Sequence, residues 1–322
     1  MSSEEFTVEI QETKALIELE LSKFVRSLDH TLSSQVEYAL LSQGKRLRPL
    51  VLLLAAQSVG GDRTKAVPLA LALELTHASS LVHDDIIDKD VFRRGKLALH
   101  SHWSTNVAIL TSDLIIAFAV YLASAYGETI IRIISRSAIE LCQGEHLDLT
   151  LELGSQEKEY FQMVELKSAA LFKAAARCGA LVGGASSEES EALSSFGKNF
   201  GIAYQLRDDL LDVDPGEGQV SNDLKNGRIA LPIIHLYGMS NSTEKAAISE
   251  ALRVARKKTK IMSDLAIQTI LRRLEETGSI AYVEKKLDEY SNLALESLAP
   301  IKNSPYKLSL VQIMKSLKRS HA

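Results

Sequence analysis

The sequence predicts an all-α protein, and proline placement, residue choice and the scarcity of strand-like patterns carry that expectation. The six prolines, Pro49, Pro68, Pro215, Pro232, Pro300 and Pro305, leave residues 69–214 and 233–299 without a ring that would interrupt a helix. Helix-favouring Leu and Ala are the commonest residues of those stretches, with Glu and Lys among the rest, and alternating β-branched runs are scarce. Pro68, followed by an Ala/Leu run to Glu74, suits a helix start, while Pro-Gly at 215–216 and Asn-Gly at 226–227 mark turns. No internal repeat and no Gly/Ser-rich linker divides the chain. Residues 1–322 therefore read as one domain of many helices, with residues 1–15 and the last few weakly held and a mobile loop at about 214–228.

Composition narrows the class. The 322 residues are 46% hydrophobic and 24% charged, values of a globular rather than a disordered chain. A formal net charge of −4 gives no overall basic character of the kind that favours nucleic acid. Cys142 and Cys178 sit in no CxxC or Cys/His spacing, which points to two buried, reduced thiols in a cytoplasmic protein. Met1 to Ile10 is acidic and polar, unlike a secretory signal. The apolar run Leu114–Ala125 falls short of the roughly 20 residues of a bilayer span, so it reads as a core helix and no integral membrane segment is expected.

The segment Leu81–Gly95, LVHDDIIDKDVFRRG, holds the densest chemistry. On a helix, positions i and i+4 lie about 40° apart around the axis. Asp84 and Asp88 thus project from one face with Asp85 beside them, and three crowded carboxylates repel one another unless a cation intervenes. Hard oxygen donors of this kind suit Mg²⁺. Gln205–Asp212, QLRDDLLD, repeats the spacing with Asp208, Asp209 and Asp212 after an apolar stretch, Phe196–Tyr204. Two such helices facing one another would wall a cleft able to hold several Mg²⁺ ions with a bridging diphosphate. Counter-charges flank the motifs: Lys45, Arg46 and Arg48 in GKRLRP at 44–49, and Arg93 and Arg94 after the first triplet. Arginine forks and lysine ammonium groups are phosphate-binding groups.

GKRLRP, the series Glu74, His77, His83, Asp84, Asp85, Asp88, Arg93, Arg94 and the second DDxxD resemble the trans-isoprenyl diphosphate synthases, or polyprenyl synthetases. Gln143–Gly144–Glu145, Lys167–Ser168, Gln205 and the segment from Gly227–Arg228 to Leu231–Pro232 extend the similarity over about residues 40–235 in family order. The resemblance implies a multi-helix bundle around a large central cavity and condensation of isopentenyl diphosphate with an allylic diphosphate. Lys45, Arg48, His77 and Arg94 match the family's isopentenyl diphosphate site. Arg93, Lys167, Lys225 and Arg228 match its grip on the allylic diphosphate. Asp84, Asp85 and Asp88 match ligands of two Mg²⁺ ions, and Asp208 matches the ligand of a third, with Asp209 and Asp212 supporting. Gln205 and the oxygens near Lys167–Ser168 match stabilisers of the allylic cation. The family also implies a homodimer.

Three departures from the family pattern stand out. Ser112–Asp113 replaces a Gly-Asp pair, and Ser168 replaces a threonine while keeping the hydroxyl. In a shortened loop after the second triplet, Gln219 and Arg228, with Ala230, stand near positions where the family carries lysine, leaving Lys225 as a nearby cation. By the family's tunnel logic the growing chain passes Ser79 and Ser80, which are too small to plug it. A product of C20 or longer follows, C25–C30 included, with Phe118 or Tyr121 either flooring the tunnel or packing in the core. Competing readings are a non-catalytic prenyl-diphosphate-binding subunit, a terpene cyclase, and a structural bundle with acidic faces.

Overall fold

The computed structural model describes residues 3–28, 31–42, 44–213, 229–257 and 260–318. Among them the regular structure is helical apart from one short hairpin, in agreement with the all-α expectation. The Pro-Gly and Asn-Gly turns and the loop at 214–228, with Gln219, Lys225 and Arg228, lie outside the described residues. The chain groups into two compact units. The first comprises Met1–Ile139, Leu171–Gly197 and Ser297–Ile313, the second Glu140–Ala170, Lys198–Glu296 and Met314–Ala322.

The first unit opens with α1 (Ser3–Arg26), α2 (Ser33–Leu40), α3 (Leu47–Ser58) and α4 (Arg63–Asp88). The N-terminal stretch expected to be weakly held is helical from Ser3 and buries Thr13. Asp62 caps α4 by accepting the Thr64 N–H at 2.9 Å, so the helix begins at Arg63, earlier than Pro68 suggested. Pro68 then sits inside the helix, where its ring removes the bond to the Thr64 carbonyl. Leu69–Leu73 and Leu75 of α4 are buried, as are Leu50–Leu54 of α3 packed on it. The hairpin β1 (Phe92–Arg93) and β2 (Lys96–Leu97) pairs Phe92 with Leu97 and Arg93 with Lys96, and α5 (Leu99–His102) follows.

α6 (Thr105–Ser124) packs along α4 through Ala108, Thr111, Ser112, Ile115, Ala119 and Ala123. Its apolar character extends beyond the Leu114–Ala125 run: over 20 residues, with mean hydropathy 2.0, it is long and apolar enough to cross a membrane. A core helix of a globular protein meets the same two criteria, and the stripe on α4 is of that kind. The opposite face, with Ile109, Leu110, Val120 and Tyr121, is exposed. Tyr121 is 74% exposed, while Phe118 packs edge-on to Phe24 of α1, centroids 5.3 Å apart, as a core ring.

α7 (Glu128–Thr150) leads into the second unit, which continues with α8 (Glu157–Val164), a π-helical turn at Glu165–Ala169, and the start of α9 (Ala170–Val182). α10 (Ser187–Val213) carries the second triplet. α11 (Leu231–Met239), α12 (Ser242–Lys257), α13 (Lys260–Glu276) and α14 (Ser279–Ser297) follow, and α15 (Pro305–Lys318) ends the described chain. Val213, Ile233, Leu236, Ile248, Leu252, Ile267, Ile270 and Leu274 form this unit's core.

Within the first unit α3 and α9 meet where Gly179 offers no side chain: a Cβ there would lie 2.2 Å from the Leu52 carbonyl oxygen. Backbone on both sides leaves nothing flexible to yield. Gly179→Ala should therefore destabilise the protein by about 1–3 kcal/mol, read as a lowered urea midpoint. An unchanged midpoint would contradict this helix contact.

Candidate active site

Both aspartate triplets occupy the final turns of long helices, α4 and α10. Unpaired carbonyls make a helix C-terminus partly negative, so carboxylates concentrated there repel both it and one another. Lys89, left-handed at φ 58°, ends α4 directly after Asp88. In each triplet the aspartates at i and i+4, Asp84 with Asp88 and Asp208 with Asp212, are half-buried. The middle aspartate turns inward: Asp85 is 4% exposed and Asp209 3%.

The inward carboxylates are taken by protein donors. Arg93 Nε donates to Asp85 Oδ1 at 2.5 Å, and Arg93 Nη2 pairs with the same oxygen. Burial raises the Asp85 pKa, and the Arg93 hydrogen bond opposes that shift. Asp209 accepts from Tyr160 Oη at 2.5 Å, Gln205 Nε2 at 2.9 Å and the Leu231 N–H at 3.1 Å. Burial pushes its pKa up to about 6 against those three donors. In both triplets the middle carboxylate is thus engaged by protein donors. A position one residue on is rotated about 100° around the axis, here toward the interior.

The flanking aspartates, Asp84 and Asp88 on α4 and Asp208 and Asp212 on α10, are half-buried carboxylates. Among the described residues no three His, Cys, Asp or Glu side chains converge closely enough to hold a metal alone. Such a donor set fits Mg²⁺, which commonly takes one or two carboxylates and completes its octahedron with waters and substrate phosphate.

The expected cationic residues gather in the first unit. Arg48 Nη1 lies 3.0 Å from His77 Nε2, and its guanidinium stacks over Phe172 at 4.5 Å. Arginine only donates, so Nε2 accepts and neutral His77 carries its proton on Nδ1. Arg94, left-handed at φ 52°, reaches Ser42 Oγ at 3.4 Å and lies against Gly44, where a Cβ would come 2.6 Å from its Nη1. Lys45 stands exposed on the same loop. Arg46 is a different case: it is buried, φ 48°, and binds Glu18, Glu74 and the carbonyls of Leu40 and Ser42. It anchors the GKRLRP loop and so sets where Lys45 and Arg48 emerge.

Two other expected roles meet competition. Arg93 is committed to Asp85, and Lys167 Nζ lies 2.6 Å from Asp148 and 2.8 Å from Glu145. Lys167 and Ser168 sit in the π-helical turn, whose backbone touches α7 at Gly144: a Cβ there would meet Lys167 N at 2.2 Å. Ser168 Oγ donates to Gln205 Oε1 at 2.6 Å. Ser79 is buried against α6, where its hydroxyl lies 2.8 Å from that of Ser112 and Ser112 Oγ donates to the Ser79 carbonyl at 2.9 Å. Ser80 is half-buried with its hydroxyl on the His77 carbonyl at 2.8 Å. Sequence reasoning missed Tyr160, Glu18 and Asp148 in these networks. Tyr160 is separated from Asp209 by 49 positions and carries no motif signal.

Burial pushes the His77 pKa well below its usual 6.5, with Arg48 and then Arg94 adding to the shift. The folded state therefore holds His77 neutral, whereas the unfolded chain protonates as pH drops through about 6.5. Its stabilising contribution is present above that pH and is lost below it, by about 1.4 kcal/mol per pH unit. Urea unfolding between pH 7 and pH 5 should show a shallower loss in His77→Gln than in wild type. Equal slopes would refute a neutral buried imidazole.

A sequence model described as polyprenyl synthetase matches residues 29–269. Geranylgeranyl diphosphate synthase of Methanosarcina mazei is 37% identical over 282 residues, covering 84% of each chain. Geranylfarnesyl diphosphate synthase of the same organism is 37% identical over 220 residues, 68% of this chain and 73% of its own. The crystal structure of geranylgeranyl pyrophosphate synthetase from Pyrococcus horikoshii superposes with TM-score 0.90 at 31% identity, covering 98% of both chains.

Proposed function

Because the chain belongs to the polyprenyl synthetase family, we propose that it condenses isopentenyl diphosphate with an allylic diphosphate. The coupling is head-to-tail and trans, and gives a polyprenyl diphosphate of C20 or longer, C25–C30 included. The observation that carries this reading is the matched pair of triplets, each presenting half-buried carboxylates at i and i+4. Intact triplets on both α4 and α10 favour a working synthase over a non-catalytic subunit. Relatives named for diphosphate products favour it over a cyclase.

In this reading Asp84, Asp88, Asp208 and Asp212 hold Mg²⁺, the family expectation being three ions. When bound, Mg²⁺ supplies charge neutralisation to the departing pyrophosphate. Lys45, Arg48, His77 and Arg94 bind isopentenyl diphosphate, with neutral His77 able to donate from Nδ1. Arg93, Lys167, Lys225 and Arg228 serve the allylic diphosphate. Arg93 and Lys167 would share their charge between phosphate and the carboxylates they already contact.

The allylic C–O bond breaks with its electron pair on pyrophosphate, leaving an allylic cation. Ser168, Gln205 and carbonyl oxygens of the π-helical turn stabilise that cation. The π turn suits this use, because its wider hydrogen-bonding pattern disturbs the regular carbonyl ladder. The isopentenyl double bond supplies the electrons of the new C–C bond, and a proton then passes to pyrophosphate. A location in the cytoplasm without nucleic-acid or integral-membrane partners belongs to this proposal, supported by two free cysteines, of which Cys178 is buried as expected and Cys142, contrary to expectation, is exposed. So does a homodimer, supported by the exposed apolar face of α6 at Ile109, Leu110, Val120 and Tyr121.

Purified protein with Mg²⁺, isopentenyl diphosphate and allylic primers of several lengths should yield products of C20 or longer by mass spectrometry. Asp84→Asn should lower kcat about a hundredfold or more. A hydrocarbon or alcohol product would instead identify a cyclase, and no turnover a non-catalytic subunit.

Ser79 is engaged with α6, so Ser80 is the more accommodating place for a tunnel plug. Ser80→Phe should shorten the product at near-wild-type stability. Unchanged product length would remove Ser80 from the tunnel.

A further inference from the structure

Asp209 accepts hydrogen bonds from three donors, and its partners form one connected set within the second unit. Ser168 Oγ donates to Gln205 Oε1 at 2.6 Å, and Gln205 Nε2 donates to Asp209 Oδ1 at 2.9 Å. Tyr160 Oη and the Leu231 N–H both donate to Asp209 Oδ2, at 2.5 and 3.1 Å. Tyr160 is 1% exposed, and the hydroxyl faces a carboxylate that can only accept. Leu231 is the first residue of α11, whose preceding residue, Ala230, supplies no side-chain cap. Asp209 therefore caps that helix from 22 residues earlier in the chain.

The directions of these bonds have a chemical consequence. An amide side chain presents its oxygen or its NH₂ according to what its neighbours demand. With Asp209 accepting on one side, Gln205 must turn its NH₂ there and its carbonyl oxygen toward Ser168. Tyr160 and Leu231 in turn hold the carboxylate, since a buried carboxylate stays where its donors are. We propose that Asp209 and Tyr160 are positioning residues, a buried carboxylate–phenol pair that fixes the Gln205 amide and the start of α11 and ligates no metal. This rests on the condensation reading for what Gln205 does, but not for the latch itself.

In Asp209→Asn one carboxylate oxygen becomes an NH₂. Oδ2 serves two donors and Oδ1 one, so the new NH₂ is best tolerated at the Oδ1 position facing Gln205. The Gln205 amide must then flip and present its NH₂ to Ser168, whose hydroxyl can accept as well as donate. The carbonyl oxygen leaves its place beside the π-helical turn, while Asp208 and Asp212 stay as they were.

The test pairs a binding measurement with kinetics. Calorimetric titration with Mg²⁺ plus inorganic pyrophosphate should give affinities within about twofold of wild type for Asp209→Asn and Tyr160→Phe. Asp208→Asn should weaken binding about tenfold or more. In turnover, Asp209→Asn should lower kcat about 10- to 100-fold with KM for isopentenyl diphosphate near wild type. Its loss should largely vanish in a Gln205→Ala background, because both changes disable one group. Metal–pyrophosphate binding weakened in Asp209→Asn as much as in Asp208→Asn overturns the proposal. Losses of Asp209→Asn and Gln205→Ala that simply multiply also overturn it. Should Asp209→Asn fail to fold, Tyr160→Phe, which keeps the buried shape, carries the same cycle, and the same two results support or overturn the latch. Wild-type protein that binds Mg²⁺–pyrophosphate yet forms no product sinks the condensation reading, and the calorimetric comparison still decides the latch.

Discussion

A carboxylate moved from water into a protein interior must find donors there or lose its charge, and that requirement organises both acidic helices. Asp84, Asp85 and Asp88, like Asp208, Asp209 and Asp212, crowd three negative groups into one helical turn and its neighbour. Helical rotation separates them: i and i+4 share a face, and i+1 points well away from it. The middle aspartate thus enters the interior, where Arg93 meets Asp85 and where Tyr160, Gln205 and Leu231 meet Asp209. Repulsion within each triplet falls once the middle carboxylate is paired with protein donors. The shared spacing thus gives the middle aspartate a buried, hydrogen-bonded place and leaves the other two half-buried.

The cationic cluster obeys a related rule. Arg46 and Glu74 are both almost fully buried, and such a pair is stable only with good geometry and every remaining hydrogen accounted for. Arg46 goes most of the way to that condition: Nε donates to Glu18, Nη1 to Glu74, and Nη2 to the Leu40 and Ser42 carbonyls. One buried guanidinium therefore joins α1, the end of α2 and α4, and orients the loop from which Lys45 and Arg48 project. His77 lies among guanidiniums and inside the protein, and both circumstances favour its neutral form. Neutrality lets it keep a donor at Nδ1 while accepting a hydrogen bond from Arg48 at Nε2, which an imidazolium could not do.

Much of this was legible in the residues. Proline spacing and residue choice indicated helices, and the twin DDxxD spacing with GKRLRP indicated the family and its reaction class. Helix boundaries were less legible, because Asp62 as a cap outweighs Pro68 as a start signal. The inward turn of Asp85 and Asp209 was hidden for a different reason. Periodicity gives the angle between side chains but not which angle faces protein. Tyr160 and Asp148 had no signal at all, since their partners lie 49 and 19 positions away and neither belongs to a motif. The apolar reach of α6 was underestimated because Thr111 and Ser112 count as polar in a run, yet both are fully buried against α4.

That last point bears on how a synthase of this build would measure its product. Where α6 lies along α4 the contact includes two small hydroxyl residues, Ser79 and Ser112, each bonding the other's backbone or hydroxyl. Small residues with mutual hydrogen bonds let two helices approach closely and leave no polar atom unsatisfied. The family's glycine before Asp113 would allow the approach but offer no bond, so Ser112 exchanges backbone freedom for a lock on Ser79. A locked pair leaves Ser79 little scope to line a passage, and the half-buried side chain one turn before Asp84 is Ser80. In the proposed reaction, chain length thus depends on a residue bonded to the His77 carbonyl, on the same helix as the ion-facing Asp84 and Asp88. Depth of the tunnel and position of the reacting diphosphates are then set by one rigid element, α4, so a shift of that helix would alter both together.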